Sequence, residues 1–97
     1  MFDIRFTESA LGDIAWFRAR HRQVVFDGIQ QQLAEEPTVE TRDRKKLRPN
    51  RTAEWEVRIE GFRVFYDADA NKETVEVKVV GQKVRNRVFV RGKEFKR

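Results

Sequence analysis

The residues best suited to chemistry in this chain are arginines placed where a β-sheet would be better served by Val or Thr. In AEWEVRIEGFRVFYDADA, residues 53–70, cations and apolar residues alternate, and Arg58 and Arg63 flank a Glu60-Gly61 turn. Two arginines on neighbouring strands beside one turn can reach a single site. A guanidinium is planar and always charged, and its fork of donors matches phosphate oxygens. Donors of this kind also stabilise the extra charge of a phosphoryl transition state. The other use of such a pair is structural. Each arginine then answers a neighbouring carboxylate, Glu56, Glu60 or Asp67, on a solvated sheet face.

Other chemistries find little support. The one histidine, His21, lies in RARHRQ with no Cys and no second His to share a metal, and it reads as a surface residue. Ser9 is the one serine, a poor starting point for a Ser-His-Asp arrangement. Gly61, Gly81 and Gly92 are isolated, so there is no Gly-rich phosphate loop. No metal site and no cofactor are expected. Any catalysis must run on Arg, Lys, Glu, Asp or Tyr.

The 97 residues suffice for one domain spanning residues 1–97. A hydrophobic content of 39% supports a thin core, and 38% charged residues require an ionic surface. The absence of Cys excludes disulfides and thiolate metal sites. No apolar run reaches the roughly 18 residues that a membrane span needs. The N-terminus, MFDIRFTES, interrupts its apolar residues with Asp3 and Arg5, unlike a signal peptide. A soluble cytoplasmic protein with no membrane partner is the expectation.

The net charge of +5 is unevenly spread. Arg42, Arg44, Lys45, Lys46, Arg48 and Arg51 form one group, and Lys83, Arg85, Arg87, Arg91, Lys93, Lys96 and Arg97 form another. Together they hold thirteen of the 21 Lys and Arg. Such clustering suits an anionic partner, either nucleic acid or an acidic protein segment. Lys45, Lys46, Arg48, Arg51 and Arg87 are the candidate nucleic-acid contacts within these groups.

The elements that must position these residues follow from periodicity. Phe2, Ile4 and Phe6 alternate with polar residues as a half-buried strand. Thr7 or Ser9 can cap a helix whose apolar face carries Ala10, Ile14 and Phe17, with Leu11 beside them and Gly12 weakening it. The pattern breaks around Ala19–Arg22. A second helix bears Val25, Ile29 and Leu33 and stops at Pro37. Residues 38–53 read as loop, anchored by Leu47 with its cations exposed. Trp55, Val57 and Ile59 alternate in one strand. Past the turn, Phe62, Val64 and Tyr66 take one face and Arg63 and Phe65 the other. DADANKE is a polar hairpin loop. Val75, Val77 and Val79 form a third strand, Gly81 interrupts, and Val88–Val90 add a short extended piece. The aromatics read as core packing, although an exposed Phe65 beside Arg63 could stack a base. The expected fold is α+β: an N-terminal strand, a two-helix hairpin, then an antiparallel sheet of three to four strands. Helices on one face leave the opposite face partly open.

The order of these elements, together with KKLR at 45–48, EWEVR at 54–58, GFRVFY at 61–66 and VVGQK at 79–83, resembles the RelE/ParE superfamily of bacterial toxins from type II toxin–antitoxin pairs. The resemblance covers nearly the whole chain. It implies a helical hairpin on a curved antiparallel sheet and a cognate antitoxin that wraps the toxin. RelE-like members cut mRNA in the ribosomal A site without a metal, by attack of the ribose 2′-hydroxyl. Basic residues in the sheet concavity hold the scissile phosphate. ParE-like members share the fold and act on DNA gyrase.

On that resemblance, the arginine of the G-aromatic-R motif falls on Arg63, and the one ending the preceding strand on Arg58. The basic residue after the VG turn falls on Lys83, with Arg85 its neighbour. Two departures stand out. Glu54 and Glu56 occupy strand positions where nuclease members carry lysines, and Phe89 stands where many have a late tyrosine. A phenyl ring exchanges no proton, so Glu56 becomes the candidate base, and Tyr66 reads as sheet packing. Three functions are left open: a ribosome-dependent endoribonuclease with ribosome and mRNA as partners, a non-enzymatic inhibitor of DNA gyrase, and a module that mainly binds its antitoxin.

Overall fold

The computed structural model describes residues 1–96; Arg97, last of the C-terminal cations, lies outside the described residues. The elements run β1 (Asp3–Phe6), α1 (Glu8–Ala15), α2 (Ala19–Leu33), β2 (Arg44–Lys46), β3 (Trp55–Ile59), β4 (Phe62–Asp69), β5 (Thr74–Val84), β6 (Arg87–Val90) and β7 (Lys93–Glu94). The strands form one open, seven-stranded sheet in the order β2-β3-β4-β5-β6-β7, with β1 paired to β5. The α+β expectation holds, with more strands than the three to four expected. From β2 onward, sequence neighbours pair antiparallel. β1 runs parallel to β5, with Ile4 opposite Val75 and Phe6 opposite Val77. The connection between them runs through both helices and β2, β3 and β4, well beyond the dozen or so residues that a parallel pair requires. No helix among the described residues is long and apolar enough to cross a membrane.

Thr7, rather than Ser9, caps α1: its Oγ1 accepts from the Ala10 N–H at 3.0 Å, and Glu8 sits in the first turn. The break between helices lies at Trp16–Arg18, earlier than expected. The helices bury Ala10, Ile14, Phe17, Val25, Ile29 and Leu33 against Val57, Val64, Tyr66, Val75, Val77 and Val80 of the sheet. Each fully buried Val or Ile contributes roughly 1.5–3 kcal/mol relative to exposure.

Four local expectations change. Val79 leaves the core row because β5 bulges: Phe65 pairs with Val79 but Tyr66 pairs with Val77, so Lys78 is the extra residue and Val80 takes the core position. Gly81 does not end β5, which continues to Val84. β4 reaches Asp69 into the polar segment taken for loop. Residues 38–53 are not all loop, because Arg44–Lys46 form β2 and Arg44 is buried. Its Nε donates to the Val39 carbonyl at 2.9 Å and its Nη1 to the Gln32 carbonyl at 2.9 Å, so one of the supposedly exposed cations ties this segment to α2.

Asp13 fills a gap beside β5. β4 lines one edge of β5, so β1 and β6 share the other, one at each end. Between them, the Val80 N–H donates to Asp13 Oδ2 at 3.0 Å. The second carboxylate oxygen accepts from Arg91 Nε at 2.8 Å, and Arg91 Nη2 donates to the Ser9 carbonyl at 2.9 Å. Gly12 explains itself here: a Cβ would collide with the Arg91 guanidinium.

Tyr66 is fully buried and its hydroxyl donates to the Pro37 carbonyl at 2.7 Å. Tyr66→Phe leaves that carbonyl unpaired and is expected to lower the unfolding free energy at pH 7 by about 1–3 kcal/mol in a urea titration. Burial raises the Tyr66 pKa above its ordinary 10.0. The neutral phenol therefore contributes stability in full below pH 10.0 and loses it as pH climbs further. The Phe variant should lose less stability above that pH, and equal stability of the two proteins at pH 7 would contradict the assignment.

Candidate anion-binding face

The β3–β4 hairpin turns at Glu60-Gly61, and its register fixes which side chains meet. Trp55, Val57 and Ile59 on β3, and Phe62, Val64 and Tyr66 on β4, are buried toward the helices. The alternate positions, Glu54, Glu56, Arg58, Arg63 and Phe65, point to the other face. Arg58 lies directly opposite Arg63, which puts their Cβ atoms about 4.5–5.5 Å apart. Arg63 is in turn opposite Gly81 on β5. The next strand therefore offers no side chain beside Arg63; Gly81 is buried, and Val88 and Val90 of β6 occupy the space over it. A Cβ at Gly81 would fall 2.9 Å from the Phe89 carbonyl oxygen and 2.8 Å from Val88 Cγ1.

Arg63 is 8% exposed. Its Nη1 donates to the Glu60 and Phe62 carbonyls at 3.0 and 2.8 Å, and its Nε lies 3.7 Å from Glu56 Oε2. The Glu60 carbonyl belongs to a residue at φ 53, in the left-handed region. Burial lowers the Arg63 pKa, and the facing Arg58 guanidinium lowers it further; Glu56 and Asp43 act the other way. Arg58 is more open, with Nε 4.0 Å from Asp43 Oδ1. Each arginine thus has a carboxylate neighbour, Glu56 for Arg63 and Asp43 rather than Glu56, Glu60 or Asp67 for Arg58, and the two cations face one another.

Lys83 follows Gly81 by two on the same face and is exposed, and its backbone N–H donates to the Gly61 carbonyl at 2.8 Å. Lys45, opposite Glu56, joins this face from β2. Arg85 sits at the β5–β6 turn, exposed and at φ 59. Arg48 and Arg51 are exposed on the segment between β2 and β3. The structure therefore gathers Arg58, Arg63, Glu56, Lys83 and Lys45. It does not bring in Lys46, which pairs with Trp55 and holds Nζ 6.0 Å from that ring, or Arg87, which pairs with Val84; register assigns both to the helix-side face.

Two aromatic expectations also change. Phe65 is fully buried rather than available to a base, because Phe95 packs on it with ring centroids 5.4 Å apart. Phe89 pairs with Gln82 and lies near Trp16 and Phe17 on the helix side, so the late aromatic over the cationic side of the sheet is Phe95. Sequence reasoning missed Asp43, the Arg58 partner, and Phe95. Neither carries a local signal, since both reach this face only through strand pairing.

No protein-family model and no curated protein matches the chain. Solved structures do. A chain of the toxin–antitoxin complex RelBE2 from Mycobacterium tuberculosis is 26% identical, aligns over 84% of this chain and 98% of its own, and superposes with a TM-score of 0.73. A chain of the intact E. coli RelBE toxin–antitoxin complex is 22% identical over 88% of this chain and 100% of its own, with a TM-score of 0.60. The fold is RelE-like, as the resemblance to the RelE/ParE superfamily implied.

Like charges directly opposite one another destabilise a sheet. Arg58→Ala is therefore expected to raise stability by a few tenths of a kcal/mol at low ionic strength, net of the loose Asp43 pair. The gain should vanish at about 0.5 M salt. Inorganic phosphate should stabilise the wild type more than the variant in thermal melts. Equal phosphate stabilisation of the two would argue against an anion site at this pair.

Proposed function

We propose that this chain is the toxin of a type II toxin–antitoxin pair and that it arrests translation by cutting ribosome-bound mRNA. The observation that carries the reading is the facing pair Arg58 and Arg63, with Lys83 on the same face of the sheet. The likeness to chains of RelBE toxin–antitoxin complexes supports the toxin role and an antitoxin partner.

In this reading a phosphate of the mRNA backbone seats at the arginine pair. Arg58 and Arg63 bind its non-bridging oxygens and stabilise the added charge as the ribose 2′-oxygen attacks phosphorus. A bond forms between the 2′-oxygen and phosphorus, and the bond from phosphorus to the 5′-oxygen breaks, leaving a 2′,3′-cyclic phosphate. Glu56, 3.7 Å from the Arg63 guanidinium, takes the 2′-hydroxyl proton. Lys83, with Arg85 as neighbour, supplies the proton to the leaving 5′-oxygen. Arg63 is positioned before substrate arrives, because two turn carbonyls fix its guanidinium. Lys45, Arg48 and Arg51 extend the cationic surface toward ribosomal RNA.

A second reading, inhibition of DNA gyrase by binding alone, draws on one observation. Tyr66 is the one tyrosine, and it is buried against Pro37. A binder needs no proton-transfer group.

The deciding experiment adds purified protein to a bacterial translation extract with a reporter mRNA and maps 5′ ends by primer extension, with and without ribosomes. New ends in register with codons, formed only with ribosomes, are expected. Arg58→Ala with Arg63→Ala should abolish both cleavage and growth arrest while the protein stays folded. Intact mRNA from a wild type that still arrests growth would overturn the nuclease reading and point to a supercoiling assay.

A further inference from the structure

On the helix side of the sheet, away from the arginine pair, Trp16, Phe17, Val84 and Phe89 line a groove with Gln82 and Gly92. Its volume is about 240 Å³, smaller than the roughly 300–1,000 Å³ that small-molecule sites enclose. It suits one or two inserted side chains rather than a metabolite. Trp16 is 57% exposed and Val84 49%, both large and both on the rim of one concavity. Scattered apolar exposure is ordinary, but a contiguous patch marks an interaction site. Trp is also among the residue types that dominate interface energetics.

The charges around this groove narrow the choice of occupant. Arg18 and Arg20 follow Trp16 and Phe17, and Arg87 lies directly opposite Val84 in the β5–β6 pairing. All three are exposed. Arg22 is turned inward, donating to the Phe17 carbonyl. The carboxylate on this rim is Glu94, 3.5 Å from Arg87 and shared with it. An apolar floor inside a cationic rim complements a segment with large apolar anchors and acidic flanks.

We propose that this groove docks a short acidic segment of a protein partner, with one or two large apolar side chains inserted beside Trp16 and Val84. The inference rests on the toxin reading for the partner's identity, the antitoxin. RNA fits the groove poorly. A stacking platform presents an open ring face, whereas the Trp16 ring is flanked by Gly92, where an added Cβ would sit 3.4 Å from Cζ2. The sheet also separates Trp16 from Arg63, so a strand held at the arginine pair does not run over the groove. Docking is thus separable from toxicity.

The test uses the purified antitoxin that the toxin reading implies, as the product of its own gene, titrated calorimetrically into this protein. Trp16→Ala with Val84→Asp alters two exposed positions, and circular dichroism checks the fold. This variant should bind about 50-fold or more weakly. It should still arrest growth but no longer be rescued by co-expression of that product. Arg18→Glu with Arg87→Glu should weaken binding about tenfold at low salt, with the difference lost near 0.5 M. Binding of the Trp16/Val84 variant within about threefold of wild type would overturn the docking proposal and leave the toxin reading intact. So would hydrogen-exchange protection of residues 82–92 by an RNA oligonucleotide instead of the protein. A wild type that arrests growth yet does not bind the product overturns docking alone. One that neither arrests growth nor binds overturns both.

Discussion

A single buried carboxylate holds the architecture together where the sheet itself cannot. β5 is flanked at one end by β1 and at the other by β6, and between them its edge has no strand. A bare N–H there would cost about 1–3 kcal/mol. Asp13, 3% exposed, meets it, and does so while also engaging Arg91. One carboxylate thus ties α1 to the central strand and to the turn between β6 and β7. Removing either partner would leave the other charge or donor uncompensated, which is why such pairs are costly to break. The helix layer, the bulge and the C-terminal hairpin keep their relative positions through this junction.

The geometry of the cationic face is set by the bulge in β5. With Lys78 as the extra residue, Gly81, not a branched residue, comes to lie beside Arg63. Lys78 itself is drawn away to Asp67 at 2.7 Å. The two arginines are then held by different means. Arg63 is held by the carbonyls of its own turn and by Glu56, whereas Arg58 is exposed, 4.0 Å from Asp43 and 3.5 Å from the Arg42 carbonyl. A buried guanidinium beside an exposed one combines orientation with reach. The repulsion between them is relieved by any anion that enters.

Much of this was legible in the sequence because it is periodic. The helical faces, the β3–β4 hairpin and the Arg58–Arg63 juxtaposition all follow from spacings of 3.6 and 2 and one turn. Residues that depend on long-range pairing were not legible. A one-residue bulge exchanges Val79 for Val80, and no local signal marks it. Phe65 looked available because its cover, Phe95, comes from the far end of the chain. Arg44 sat within a run of solvated cations, and nothing in that run distinguishes the one that reaches back to α2. Asp13 did carry a signal, a charged residue three after Ala10 and four before Phe17 on an apolar helix face, and a charge there implies a buried partner. The candidate site inherits the same split: the arginines were readable, whereas the Arg58 partner Asp43 and the pairing of Gly81 with Arg63 depend on register.

The parallel pairing of β1 with β5 also bears on how the protein is made. The first strand of the chain finds its partner only in Thr74–Val77, so the helical layer cannot settle on a finished sheet until most of the polypeptide has left the ribosome. The β3–β4 hairpin, by contrast, needs only its own turn. Contacts between distant segments form late and slowly, and the apolar faces awaiting them are exposed meanwhile. A newborn chain therefore displays Ile14, Val25 and Ile29 before it can bury them. During that interval its fate is open to any protein nearby that can cover an apolar helix.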